Sequence, residues 1–375
     1  MLKYLKATKI KLFADITTVP EILQGKYYSS LDGLRAVAIL MVTLGHFGID
    51  NILLPYNLLI DSEIGVHIFF VLSGFLITTL LIKEKLRSGK ISIRHFYIRR
   101  ILRIVPLAYL FLIVLLILGL IGYRMSTPSD FIYSFLFLKN LPIRNQPFTA
   151  HLWTLSVEEQ FYIILPLLML LSIRKYFNFA LLFVIFVPLI SILTFNNIGF
   201  HSTNHVFNLL IKIILYSFWK GPTFILIGSV FSILTFKGII TAEPTNKYYF
   251  LSFFLLLAAI LISTESFILY SKYTSEFISS IIIAYVILLN IRSQNFLSKI
   301  LSNPILVKIG ILSYSLYTWQ EIFLGKFFWI PWLKGLNSLP LIVIILLKLI
   351  FMIPIAFISY YLLETPFLKL KEKFK

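Results

Sequence analysis

Ten apolar runs, at 33–49, 64–82, 101–122, 152–172, 178–195, 222–237, 249–265, 277–291, 310–330 and 340–362, mark out this chain. Most are near the roughly 20 residues that a helix needs to cross the hydrocarbon core of a bilayer. Backbone amides in hydrocarbon must be satisfied internally, so such runs can only become helices or the strands of a closed barrel, and runs of this length are helical. The predicted fold class is all-α: a polytopic membrane helix bundle of about ten transmembrane helices. An eleventh run, 206–219, is short and carries Asn208 and Lys212, so it is expected to lie in the interface or to re-enter. Composition agrees, since 375 residues that are 59% hydrophobic and 13% charged fall far from the soluble average. The chain has no cysteine, which excludes disulfides and thiolate chemistry.

Charge distribution orients the spans. With both termini cytoplasmic, the inner segments carry about 24 Lys and Arg against about 8 on the outer side. An eleventh span would move Arg292, Lys299, Lys308 and the lysine-rich tail outside, against that bias. The net charge of +18 is then a matter of orientation and of contact with anionic lipid, without nucleic acid. The N-terminal stretch is basic but lacks an apolar core followed by a cleavage site, so the first span is expected to be retained. The organisation expected is a cytoplasmic segment at 1–30, a membrane domain at 31–364 and a basic cytoplasmic tail at 365–375.

Polar residues inside the spans carry the chemistry. In LDGLRAVAILMVTLGH, residues 31–46, the step from Arg35 to His46 advances a helix only about 20° past three turns and about 16 Å along its axis, so both share one face. Asp32 is the expected N-cap. In the second run Ser73 and Gly74 follow Phe69 and Phe70; small residues there allow close helix packing, or a ligand close to backbone. Arg100 and Arg103, three apart at the inner mouth of the third run, present two guanidiniums on one helix face, an arrangement suited to phosphate. Glu158 and Glu159 open the fourth run at the outer level reached by His46, pointing about 100° apart, with Glu158 expected inward, above Tyr162, and Glu159 at the rim. A histidine with a nearby carboxylate can take a proton from an attacking hydroxyl. No nucleophile elbow, zinc-ligand cluster or phosphate loop is present in the sequence.

Six blocks then carry a resemblance: Arg35 and His46 with ten residues between them, GVHIFFVLSGFLIT from Gly65, FYIRRILRIVP from Phe96, HLWTLSVEEQFY from His151, GILSYSLYTWQ from Gly310, and the terminal Glu364-Thr365-Pro366. In that order the chain resembles the acyltransferase 3 family of integral membrane acyltransferases over nearly its whole length. The resemblance implies transfer of an acyl group, most often acetyl, from cytoplasmic acyl-CoA to a carbohydrate on the outer side. It makes His46 the catalytic residue, Arg35 its partner on the first span, and Arg100 and Arg103 the CoA contact. Phe70, Ser73, Trp153, Gln160, Tyr314 and Gln320 are expected to touch the acceptor or line its pocket. Two positions depart from the family: His67 replaces a frequent acid, and Gln320 replaces a frequent histidine, which removes a titrating group from that span. A stand-alone membrane domain, with no hydrolase-like domain after the last span, is expected.

The function expected is that of a membrane O-acyltransferase of a bacterial inner membrane. His46 is expected to act as general base and Glu158 as supporting carboxylate; acyl-CoA, with acetyl-CoA the expected form, is co-substrate, a sugar or lipid-linked saccharide is acceptor, and no permanent cofactor or metal is expected. An acyl-His intermediate is an open variant. The rival class is a transporter of an anionic or lipid-linked saccharide, whose charges would bind cargo without breaking a bond.

Overall fold

The protein was analysed as a computed structural model that describes residues 12, 14–53, 55, 61–122, 126–141, 147–195, 221–241, 249–264, 272–292, 294–324, 335, 336 and 338–374. The expected run at 206–219 lies outside the described residues. Among those described, the chain is helical throughout with no strand. The principal helices are α1 (Ser29–His46), α2 (Ser62–Ser88), α3 (Ile93–Leu120), α4 (Pro128–Phe135), α5 (Leu152–Leu171), α6 (Ile173–Phe195) and α7 (Pro222–Phe236). They continue as α8 (Leu251–Ser263), α9 (Lys272–Asn290), α10 (Phe296–Leu301), α11 (Pro304–Ile311), α12 (Ser313–Trp319), α13 (Leu341–Ser359) and α14 (Thr365–Lys371).

Six helices among the described residues are long and apolar enough to cross a membrane: α2, α3, α5, α6, α9, and a run from Leu341 to Phe374 that begins with α13. This is an integral membrane protein. Among the described residues the remaining expected runs do not form helices of that length and apolarity, for physical reasons. α1 starts at Ser29, so Asp32 lies in the first turn rather than capping it, and Ser29, Ser30, Asp32 and Arg35 leave only the later part of the helix apolar. α7 and α8 are apolar but only 15 and 13 residues long. The run at 310–330 does not form one helix: α11 ends at Ile311, α12 follows at Ser313, and Gln320–Phe323 tightens into a 3₁₀ turn. That interrupted segment carries buried Ser313, Ser315, Thr318, Gln320 and Glu321. Irregular backbone at membrane depth is tolerated where protein surrounds it or a cavity is lined, so the interruption itself points to a site.

Large apolar side chains face outward along the spans, among them Ile113, Leu116 and Ile117 on α3, Ile163, Ile164 and Leu167 on α5, and Leu346, Ile350 and Ile353 on α13. Hydroxyls are turned inward instead. Hydrophobic surface without polar interruption is the lipid-facing solution, and the buried hydroxyls act as glue between helices.

The chain divides into two compact units, one of Met1–Arg35, His67–Ile91 and Phe161–Val307, the other of Ala36–Val66, Ser92–Gln160 and Lys308–Lys375. In the first, α2 crosses α7 with backbone almost touching backbone. A Cβ built on Gly74 would lie 1.8 Å from the Ile225 carbonyl oxygen, and one on Gly228 would lie 2.0 Å from that of Val71. Close-packing glycine is therefore the role of Gly74 that the fold shows. Along the same crossing Thr78 bonds to Ser229, Tyr176 Oη lies 2.5 Å from Ser229 Oγ, and Thr79 Oγ1 lies 2.8 Å from Ser232 Oγ. His67 stacks on Phe224 with ring centroids 4.0 Å apart.

In the second unit, residues 313–321 are the hub. Ser315 donates to Glu364, Tyr314 Oη donates to the Ile104 carbonyl at 2.6 Å, and Tyr317 Oη donates to the His151 carbonyl at 2.9 Å. Blocks that lie far apart in sequence thus meet on one short interrupted segment.

Candidate active site

His46 ends α1 and is exposed, while Thr43, one turn earlier, and Phe47, the next residue, are buried. The buried neighbours fix the helix end and leave the imidazole accessible. Thr43 Oγ1 donates to Gln320 Oε1 at 2.9 Å, which ties this turn of α1 to the hub. Lys348 of α13, only 4% exposed within an apolar helix, places its ammonium 5.1 Å from the centroid of the Phe47 ring. A buried intramembrane lysine is costly and marks function by default. Neither Lys348 nor its place beside His46 was picked out by the sequence reading.

His151 lies just ahead of α5 and is 3% exposed; Glu321, in the 3₁₀ turn, is 2% exposed. Their closest atoms, Nδ1 and Oε2, are 3.4 Å apart. The His151 ring is caged edge-on by Phe111 at 5.2 Å and by Tyr317 at 5.4 Å, and Phe111 in turn meets Trp319 at 5.7 Å. His46 and Lys139 lie within electrostatic reach of His151. Lys139 is itself neutralised by Asp130 at 2.7 Å, both 1% exposed, and Asp130 also closes a capping box with Thr127 at the start of α4. Apart from the facing atoms of that pair, four buried polar atoms here have no hydrogen-bond partner among the described residues: Thr149 Oγ1, His151 Nε2, Trp319 Nε1 and Gln320 Nε2. Buried polar atoms are rarely left this way, and a mixed set of donors and acceptors suits a hydroxylated ligand.

The remaining residues singled out from sequence fall as follows. Arg35 belongs to the first unit, where it pairs with Asp32 at 3.0 Å. Phe70 and Ser73 also lie in the first unit, on α2, with Phe70 buried. Arg100 and Arg103 belong to the second unit and to α3, which starts at Ile93, so they sit about 10 to 15 Å along the helix rather than at its first turn. Both act electrostatically on Glu159, and Arg103 also acts on Glu364 and Tyr314. Glu159 is thus the carboxylate of the adjacent pair that addresses the arginines, where an outer rim position was expected. Glu158 is half-buried and acts on Tyr317, as Glu321 does. Trp153 lies half-buried in the first turn of α5. Gln160 is engaged within the fold, donating to the Phe137 carbonyl at 2.9 Å and exchanging bonds with Asn140 at 2.8 and 2.9 Å. No group of three or more potential metal ligands occurs among the described residues.

A Staphylococcus aureus (strain COL) protein, whose name gives O-acetyltransferase as an inferred activity, is 28% identical over 381 residues, covering 92% of this chain and 58% of that protein. The O-acetyltransferase OatA of Staphylococcus aureus (strain NCTC 8325 / PS 47) is 26% identical over 383 residues, covering 95% of this chain and 59% of OatA. The chain therefore spans less than two thirds of the length of these curated relatives. No solved structure matches. The family model described as acyltransferase domain matches residues 28–361, nearly the whole chain, and the chain belongs to that family.

Proposed function

We propose that this protein transfers an acyl group, acetyl in the first instance, from cytoplasmic acyl-CoA to a hydroxyl of an extracytoplasmic or lipid-linked carbohydrate. The membrane is a bacterial inner membrane, with both chain termini on its cytoplasmic side. The observation that carries the reading is the exposed His46, held at the end of α1 by the Thr43–Gln320 bond beside buried groups suited to a hydroxylated ligand. His46 takes the proton of the acceptor hydroxyl as the oxygen bonds to the acyl carbon. The carbon–sulfur bond breaks, and the CoA thiolate takes the proton from His46. Glu158 is a supporting carboxylate on the acceptor side, and Trp153 and Gln320 contact the acceptor. Family membership favours transfer over transport. The test is turnover of labelled acetyl-CoA by the protein in nanodiscs against a panel of glycan acceptors. Product on a glycan supports the reading; no turnover across the panel overturns it.

Arg100 and Arg103 are assigned to the CoA phosphates, and Arg35 to the same ligand on its motif alone. Each charge-assisted hydrogen bond contributes about 1.5 to 3 kcal/mol, so Arg100→Ala or Arg103→Ala should raise the apparent KM for acetyl-CoA about 10- to 100-fold, with a smaller effect on the saturated rate. Lysine at either position should restore part of that loss, since a point charge lacks the planar fork. Donor titration checks this, and unchanged KM in both alanine variants moves the CoA site elsewhere. Glu158→Gln keeps shape and removes charge, so the saturated rate should fall while acetyl-CoA binding survives, as a paired rate and binding measurement would read.

A further inference from the structure

On the acyl-transfer reading, we infer that Glu321 and His151 form a buried positioning pair for His46, with the Glu321 carboxylate balancing through the His151 ring the positive charge His46 acquires in the reaction.

Four observations point this way. The two residues come from separate segments, the turn before α5 and the 3₁₀ turn after α12, and both are almost fully enclosed, with 3.4 Å between Nδ1 and Oε2. That distance exceeds an ordinary hydrogen bond, as catalytic contacts often do before substrate tightens them. Phe111 and Tyr317 pack against the ring, and Tyr317, itself 2.7 Å from the Thr154 hydroxyl, donates to the His151 carbonyl, so backbone and ring plane are both fixed. Gln320, the residue before Glu321, accepts from Thr43 in the last turn leading to His46, so the carboxylate and the end of α1 are held by consecutive residues. Finally, His46 acts on His151 electrostatically; the other cationic group among the described residues that reaches His151, Lys139, is already paired with Asp130.

A purely architectural role explains this poorly. The hydroxyl bonds and the aromatic cage already join the segments, and a buried ionisable pair stabilises a fold less well than apolar side chains of similar volume. Chemistry gives it a purpose. With Glu321 accepting from Nδ1–H, the proton of neutral His151 is fixed on one nitrogen and Nε2 is left as an acceptor. When the acceptor hydroxyl gives its proton to His46, the cation formed lies within reach of a polarised ring backed by a carboxylate. The oxygen then bonds to the acyl carbon, the carbon–sulfur bond breaks and the thiolate removes the proton from His46. His151 and Glu321 end as they began.

The experiment compares wild type, Glu321→Gln, His151→Gln and the double variant in nanodiscs with acetyl-CoA and a panel of glycan acceptors. Glutamine at 321 can still accept from Nδ1–H but carries no charge. The expected result is a fall in kcat of about 100-fold for each single variant, at the lower end of general-base effects. KM values for donor and acceptor should stay within about twofold, and the double variant should lose no more than His151→Gln, because the two act as one unit. In wild type labelled with ¹⁵N-histidine, and with His151→Gln as the assignment control, the His151 signal should be that of the Nδ1–H tautomer. Wild-type kcat in Glu321→Gln overturns the pair while leaving acyl transfer intact. An Nε2–H tautomer in wild type overturns it even where Glu321→Gln fails to accumulate. A wild type that acetylates no acceptor overturns the transfer reading and the pair with it.

Discussion

Replacing His46 with alanine is expected to lower acetyl transfer by about 10²- to 10⁴-fold at saturating donor, the usual contribution of a general base. The loss should be one of chemistry and not of folding. His46 is exposed, whereas the contacts that hold this end of α1 belong to Thr43, which bonds to Gln320, and to Phe47, which is buried under Lys348. Alanine is the best helix former, so the last turn of α1 should persist. Membrane accumulation and acetyl-CoA binding should match wild type, and a variant that keeps most of the wild-type rate would remove His46 from the chemistry. A shared structural role would instead appear as a loss that Thr43→Val reproduces; Thr43→Val deletes the bond to Gln320 but leaves the imidazole in place.

The class of fold was legible because hydropathy acts over long windows: α2, α3, α5, α6, α9 and α13 all fall on runs marked in the sequence. The breaks were not legible. The run at 310–330 is apolar enough to pass for one span, and only the packing shows that Ser313, Ser315, Thr318, Gln320 and Glu321 are drawn inward and the helix interrupted. Glu159 shows a second limit. Two adjacent carboxylates on a helix point about 100° apart, and nothing local says which of them meets Arg100 and Arg103; that depends on the rotation of α5, set by tertiary packing. His46 stands out in the sequence because it shares one helix face with Arg35, a relation internal to a single segment. The His151–Glu321 pair could not, because it joins two segments whose neighbourhood is tertiary. One signal was nevertheless present: Glu321 is a carboxylate inside an apolar run, and the cost that singles out Glu158 applies to it equally. Lys348 was missed in the same way, as a lone charge within a run otherwise suited to lipid.

Alanine at Gly74 or Gly228 should destabilise the protein. The two glycines face each other's helix: the Cβ of one meets the Ile225 carbonyl at 1.8 Å and that of the other the Val71 carbonyl at 2.0 Å, and backbone atoms cannot move aside as a flexible side chain can. A methyl group in either place must push α2 and α7 apart. Overpacking of this kind costs about 1 to 3 kcal/mol, and the separation also loosens the bonds among Thr78, Ser229 and Tyr176 and between Thr79 and Ser232, at about 0.6 kcal/mol each in a membrane. Valine, with a branched Cβ, should cost more than alanine and prevent accumulation in the membrane. The opposing geometry adds a sharper expectation. Once the first methyl has separated the helices, the second finds room, so Gly74→Ala combined with Gly228→Ala should cost clearly less than the two single changes added together. Thermal unfolding of the four proteins in one detergent measures this. Additive losses would mean that the two contacts are independent, and single variants as stable as wild type would mean that the helices do not approach at these glycines.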